Sequence, residues 1–93
     1  MEKSTHTSEY RSLCSTLRQA RHAADLSQRD LADRLKVTHS WVAKVESGER
    51  RIDLVEFCWF LTACGIDPAS AIPVLLKKFP RRAFARGAKG GRT

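Results

Sequence analysis

Three side chains with hydrogen-bonding heads, His39, Ser40 and Lys44, share the stretch HSWVAKVES with the apolar pair Val42 and Val45. Wound as a helix, that spacing turns the two valines to one side and the three polar heads to the other. Lysine can only donate a hydrogen bond, whereas imidazole and hydroxyl can donate or accept. Such a set suits recognition of a surface rich in donors and acceptors, and the small Ala43 allows close approach. Periodicity alone fits the solvated face of an ordinary amphipathic helix equally well. Catalysis is not indicated, because no nucleophile–base arrangement and no glycine-rich phosphate loop is present. His6, His22 and His39 show no metal-ligand spacing with Cys14, Cys58 and Cys64. No enzyme, cofactor or metal is therefore expected.

These residues need helices to hold them. A first helix is predicted from Ser8 to about Ala24, with Tyr10, Leu13, Cys14, Leu17, Arg21 and Ala24 on one face and Ala20 beside them. Ser27 with Asp30 marks the start of a second helix, whose Leu31, Ala32 and Leu35 point inward. Thr38 caps the third, and Gly48 suits a left-handed position just past its end. Asp53 with Glu56 opens a fourth helix in the capping-box pattern. Asp67 and Pro68 open a fifth, which Pro73 is expected to break or kink. No stretch alternates long enough to be a convincing strand. The expectation is all-α: a compact five-helix domain over residues 8–79, between a flexible N-terminus (1–7) and a flexible basic tail (80–93).

The second and third helices are too short to be stable alone. Only "KVT" joins them, so their axes must cross steeply, with Val37 in the crease and the start of the third helix pushed outward. A helix about 10–12 Å across matches the roughly 12 Å width of the B-DNA major groove.

With 93 residues the chain makes one domain and one modest core. Its net charge of +7 is uneven. Acidic and basic residues balance from Met1 to Leu76, and the whole excess lies in seven Lys/Arg between Lys77 and Thr93. Such a run is either a solvated tail or a sequence-blind contact with phosphates. The odd cysteine count without C-x-x-C favours buried free thiols. No apolar run is long enough to span a membrane and no signal-peptide pattern is visible, which suggests a cytoplasmic protein.

The stretch "LSQRDLADRLKVTHSWVAKVESGERR" resembles the lambda-repressor-like (Cro/repressor) helix-turn-helix DNA-binding family. The matching residues are Arg21, Leu26-Ser27-Gln28, Leu31-Ala32, Val37-Thr38, Val42 and Val45-Glu46-Ser47-Gly48. The resemblance spans roughly Tyr10 to Asp67. It implies a recognition helix whose His39, Ser40 and Lys44 face bases of double-stranded DNA. Gln28, Arg29, Thr38, Trp41, Ser47, Arg50 and Arg51 would hold the DNA backbone, although Trp41 is as well suited to covering the core edge. It further implies an ion pair between Arg21 and Glu46. The chain departs from the family in having Asp25 and Lys36 where glycine is frequent, so both are expected at positive φ, and Ile52 where proline is frequent.

One such unit reads few base pairs, so a dimer on an inverted repeat is expected. In the fourth helix Leu54, Phe57, Phe60, Leu61 and Cys64 can face the core. Val55, Cys58, Trp59 and Thr62 form a second stripe, joined by Ile72, Leu75, Leu76 and Phe79 as a dimer surface. Alternatively the fifth element folds back over Trp59 within one chain. The function expected is a sequence-specific transcriptional regulator, a repressor since no activation or ligand domain is evident. The competing reading is an antitoxin-type protein that binds a protein partner and autoregulates through the same helix-turn-helix.

Overall fold

In the computed structural model the described residues are 7–79. Five helices follow one another: α1 (Ser8–Ala23), α2 (Gln28–Leu35), α3 (His39–Ser47), α4 (Leu54–Ala63) and α5 (Pro68–Leu76). Among the described residues there is no strand.

Local chemistry starts each helix. Ser27 and Asp30 form a reciprocal capping box, with Ser27 Oγ accepting from Asp30 N and Asp30 Oδ2 from Ser27 N, both at 3.0 Å. Asp53 and Glu56 do the same for α4. Thr38 accepts from Trp41 N at the start of α3, and Asp67 from Ala69 N at the start of α5. Thr7, expected within the flexible N-terminus, is instead fixed. Thr7 caps α1, its hydroxyl accepting from Tyr10 N at 3.1 Å. The rest of that segment, and the basic tail from Pro80 onward, lie outside the described residues.

The two anticipated backbone positions are left-handed, with φ of 59° at Asp25 and 62° at Lys36. Lys36 thereby closes α2, its N–H reaching Ala32 O. Gly48, at φ 84°, closes α3.

Helix α3 packs on α2 and α1, α4 packs on α2 and α1 as well, and α5 closes the core against α1 and α4. Leu17, Leu31, Val42, Val45, Phe60 and Leu61 are fully enclosed. Fully burying a side chain such as Phe60 stabilises the fold by roughly 1.5–3 kcal/mol. Of the cysteines, Cys14 and Cys64 are buried and Cys58 half-buried, all as free thiols. Burial pushes the Cys14 and Cys64 thiols up from their ordinary range, which keeps them protonated.

The helical readings of α4 and α5 need four corrections. Pro73 does not end α5, which continues to Leu76. The carbonyl it leaves without a donor belongs to Ala69, in the exposed first turn, where water can serve it. Leu54 does not face the core. It is 68% exposed, at the rim of a shallow groove shared with Leu13, Phe57 and Ile72, because no element packs over the first residue of α4. Leu75 is not on an outer surface but 5% exposed inside the core, where α5 meets α1 and α4. Ile72 and Phe79 likewise lie half-buried against that core. Finally, α5 does not cover Trp59, which stays 59% exposed.

Candidate nucleic-acid interface

Val42 and Val45 anchor α3 in the core. His39, Ser40 and Lys44 consequently stand exposed along its outer side, with Ala43 half-buried between them. In the joint before α3, Val37 is half-buried against the core. Arg29 and Thr38 are also exposed nearby.

Behind this face lies a buried ion pair. Arg21 Nε donates to Glu46 Oε2 at 2.6 Å and Nη2 to Oε1 at 3.0 Å. Both side chains are almost wholly enclosed, at 9% and 3% exposure. Arg21 Nη1 also donates to Leu26 O at 2.9 Å, tying down the turn between α1 and α2. The Glu46 hydrogen bonds hold the guanidinium above its ordinary pKa, against the opposing effect of burial. Arg18 Nη1 adds a bond to the Glu46 carbonyl at 3.3 Å.

Gln28 connects the pair to the outer face. Its Nε2 donates to Glu46 Oε1 at 3.1 Å, and its Oε1 meets His39 Nε2 at 3.2 Å. The resemblance implies a phosphate contact for Gln28; the second proton of its amide is left for one.

Other expected backbone-binding residues also carry intramolecular partners. Arg50 pairs with Glu56 at 3.2 Å, donates to Arg51 O and stacks 5.1 Å from the Trp41 ring centroid. Trp41 is half-buried against the core, so it occupies the core edge and offers its remaining surface to Arg50. Ser47 Oγ donates to Lys44 O and accepts from Glu49 N, bracing the turn after α3. Arg51 is exposed and stacks 5.1 Å from the Tyr10 ring centroid.

The loop from α3 to α4 accounts for one departure from the family pattern. Ile52 N donates to the buried Tyr10 hydroxyl at 2.9 Å, a bond that proline, lacking N–H, cannot make. Burial is the main cause raising the Tyr10 pKa; the Ile52 bond opposes it. Sequence reasoning missed this link, the Gln28 connection and the bond from Arg34 to Ala63 O at the end of α4. Each joins residues far apart in the chain, and no short motif signals them.

Comparison with known proteins settles the family. A helix-turn-helix domain family matches residues 12–71. The chain is a member of the XRE, or Cro/repressor-like, helix-turn-helix family. It is similar to an XRE-family like protein of solved structure from Pseudomonas syringae pv. tomato str. DC3000, at 39% identity and a TM-score of 0.75, over 81% of this chain and 92% of that one. No curated protein matches it. Membership makes this XRE-family chain a DNA-binding transcription regulator in general terms, on a fold typical of non-enzymatic regulators. Among the described residues no single helix is long and apolar enough to cross a membrane.

Proposed function

We propose that this XRE-family chain is a sequence-specific repressor that binds an inverted repeat in double-stranded DNA as a homodimer, with α3 in the major groove, in the cytoplasm where that DNA lies. The observation that carries the reading is the division of α3: valines enclosed on one side, and His39, Ser40 and Lys44 exposed on the other. Lys44 can serve guanine, whose major-groove edge offers two acceptors. Arg29, Thr38, Arg51 and the second amide proton of Gln28 set register on phosphates, as backbone contacts do. Ser47, Arg50 and Trp41 act there chiefly by bracing the loop.

The dimer reading draws on the outer faces of α4 and α5. Leu54, Val55, Trp59, Val74 and Leu76 are large apolar residues between 40% and 68% exposed. Val55, Cys58, Trp59 and Thr62 follow one helical row, and a two-fold contact along it would bury each copy's apolar surface against its partner. That same exposure is what favours the second reading, in which a different protein covers the surface and the helix-turn-helix autoregulates. The residues from Lys77 onward would add phosphate contacts without reading sequence.

Selecting bound duplexes from a random pool tests the reading. An enriched palindrome with half-sites about 10–10.5 bp apart, or a multiple, is expected for a dimer. Lys44→Ala is expected to lose about 1–3 kcal/mol of discrimination at one position, while Arg51→Ala weakens matched and scrambled duplexes alike. A pool with no enriched sequence rejects the proposal. A sharp sequence bound only when a second protein is added favours the alternative.

A further inference from the structure

We infer that His39 is a specificity-determining residue whose tautomer is set from the core, so that it selects a base bearing an exocyclic amino group, adenine or cytosine. The inference rests on the reading above, that α3 enters the major groove.

The argument runs outward from Arg21. Its guanidinium can only donate, and it donates to both oxygens of Glu46. Both oxygens are therefore acceptors. Glu46 Oε1 faces the Gln28 amide at 3.1 Å, so the group turned toward it must be the NH2. That choice fixes which way round the amide lies, an assignment that otherwise rests on the hydrogen-bond network alone. The Gln28 carbonyl oxygen then faces His39 Nε2 at 3.2 Å. An oxygen there can only accept, so Nε2 must carry the proton. In a neutral imidazole the other nitrogen, Nδ1, is then an acceptor.

His39 is exposed, and Gln28 is its one hydrogen-bond partner among the described residues. An exposed acceptor at the start of a groove-reading helix matches a donor on a base edge. In the major groove only adenine N6 and cytosine N4 are donors, whereas guanine and thymine present O6, N7 and O4 acceptors there. An unrestrained neutral histidine populates both tautomers, with Nε2–H the commoner, so a fraction of rings would turn a donor rather than an acceptor outward. Here the core imposes one tautomer, through residues on α1, α3 and α2 in turn.

Two measurements at pH 8, where an ordinary imidazole is neutral, test this. The first is the nitrogen NMR spectrum of His39 in the free full-length protein. A protonated Nε2 with a bare Nδ1 is expected in the wild type, and a tautomer mixture in Gln28→Leu; a wild-type ring protonated on Nδ1 overturns the inference. The second is duplex selection with the wild type, Gln28→Leu and His39→Ala. The position facing His39 is the one whose preference His39→Ala abolishes. Adenine or cytosine is expected there at roughly three- to tenfold over guanine or thymine, the scale of one net hydrogen bond. In Gln28→Leu overall binding should weaken, because a phosphate contact goes with the amide, and beyond that uniform loss the ratio at this one position should fall toward one. Guanine or thymine at that position, or a ratio untouched by Gln28→Leu, overturns the inference and leaves the DNA-binding reading standing. A pool with no enriched sequence removes both, and the nitrogen spectrum then shows whether the relay itself exists.

Discussion

The two ends of the molecule are finished in different ways. Where α1, α2 and α3 meet, buried polar groups are matched within the chain: Arg21 with Glu46 and Leu26 O, and Gln28 with Glu46 and His39. Where α4 and α5 meet, Leu54, Val55, Trp59, Val74 and Leu76 remain open to water. Polar satisfaction gives the first end a fixed shape, which a reading surface needs. The second end holds apolar area that a partner can cover, since large exposed apolar patches mark interaction sites. The difference teaches that, among the described residues, polar groups are matched within the chain at one end while apolar surface is left uncovered at the other.

Substitutions at each end sharpen that contrast. The largest effect is expected from Glu46→Ala, which leaves Arg21 buried without its partner. Urea unfolding should show a loss of about 3–5 kcal/mol. A loss below about 1 kcal/mol would mean that water reaches the pair. At the other end, Trp59→Glu should leave the single chain's fold intact, since the side chain is exposed there, and remove only the concentration-dependent part of the unfolding midpoint that a dimer adds. In sedimentation it should turn a dimer into a monomer, because a two-fold contact feels each substitution twice. Dimers that survive the change would move the interface off α4.

A smaller gain is expected at the joint. Lys36 holds φ 62°, a conformation that costs a residue with a Cβ about 1 kcal/mol. Lys36→Gly should recover part of that, seen as a higher urea midpoint. The smallest effect concerns acid. The Arg50 hydrogen bonds, followed by the Asp53 N bond, hold the Glu56 carboxyl below its ordinary range, and the Ser27 bonds lower Asp30. A carboxyl lowered in the folded state binds fewer protons there than in the unfolded chain. Its stabilisation is therefore full above the unfolded value, about 4, and is lost as pH falls through the folded one. Glu56→Gln should flatten the dependence of the unfolding midpoint on pH between about 5 and 3.

What could be read from the sequence was what is decided locally. Ser27, Thr38, Asp53 and Asp67 cap helices because their oxygens reach backbone N–H groups two or three residues away, whatever surrounds them. The positive φ at Asp25 and Lys36 followed from glycine in the family pattern. Arg21 on an apolar face already demanded a buried partner. By contrast, whether Leu54 or Leu75 is enclosed depends on where α5 crosses α4, and periodicity is silent on that. The Gln28 relay needed three helices in place before its distances had meaning. The direct assignment of Arg50 to DNA overlooked Glu56 and Trp41, which engage it within the chain.

The bond from Ile52 N to the Tyr10 hydroxyl ties the identity of two positions 42 apart in sequence. Restoring proline at 52 would strand the phenol, so the loop cannot be exchanged alone between relatives. In a chimera that borrows this loop, residue 10 must travel with it.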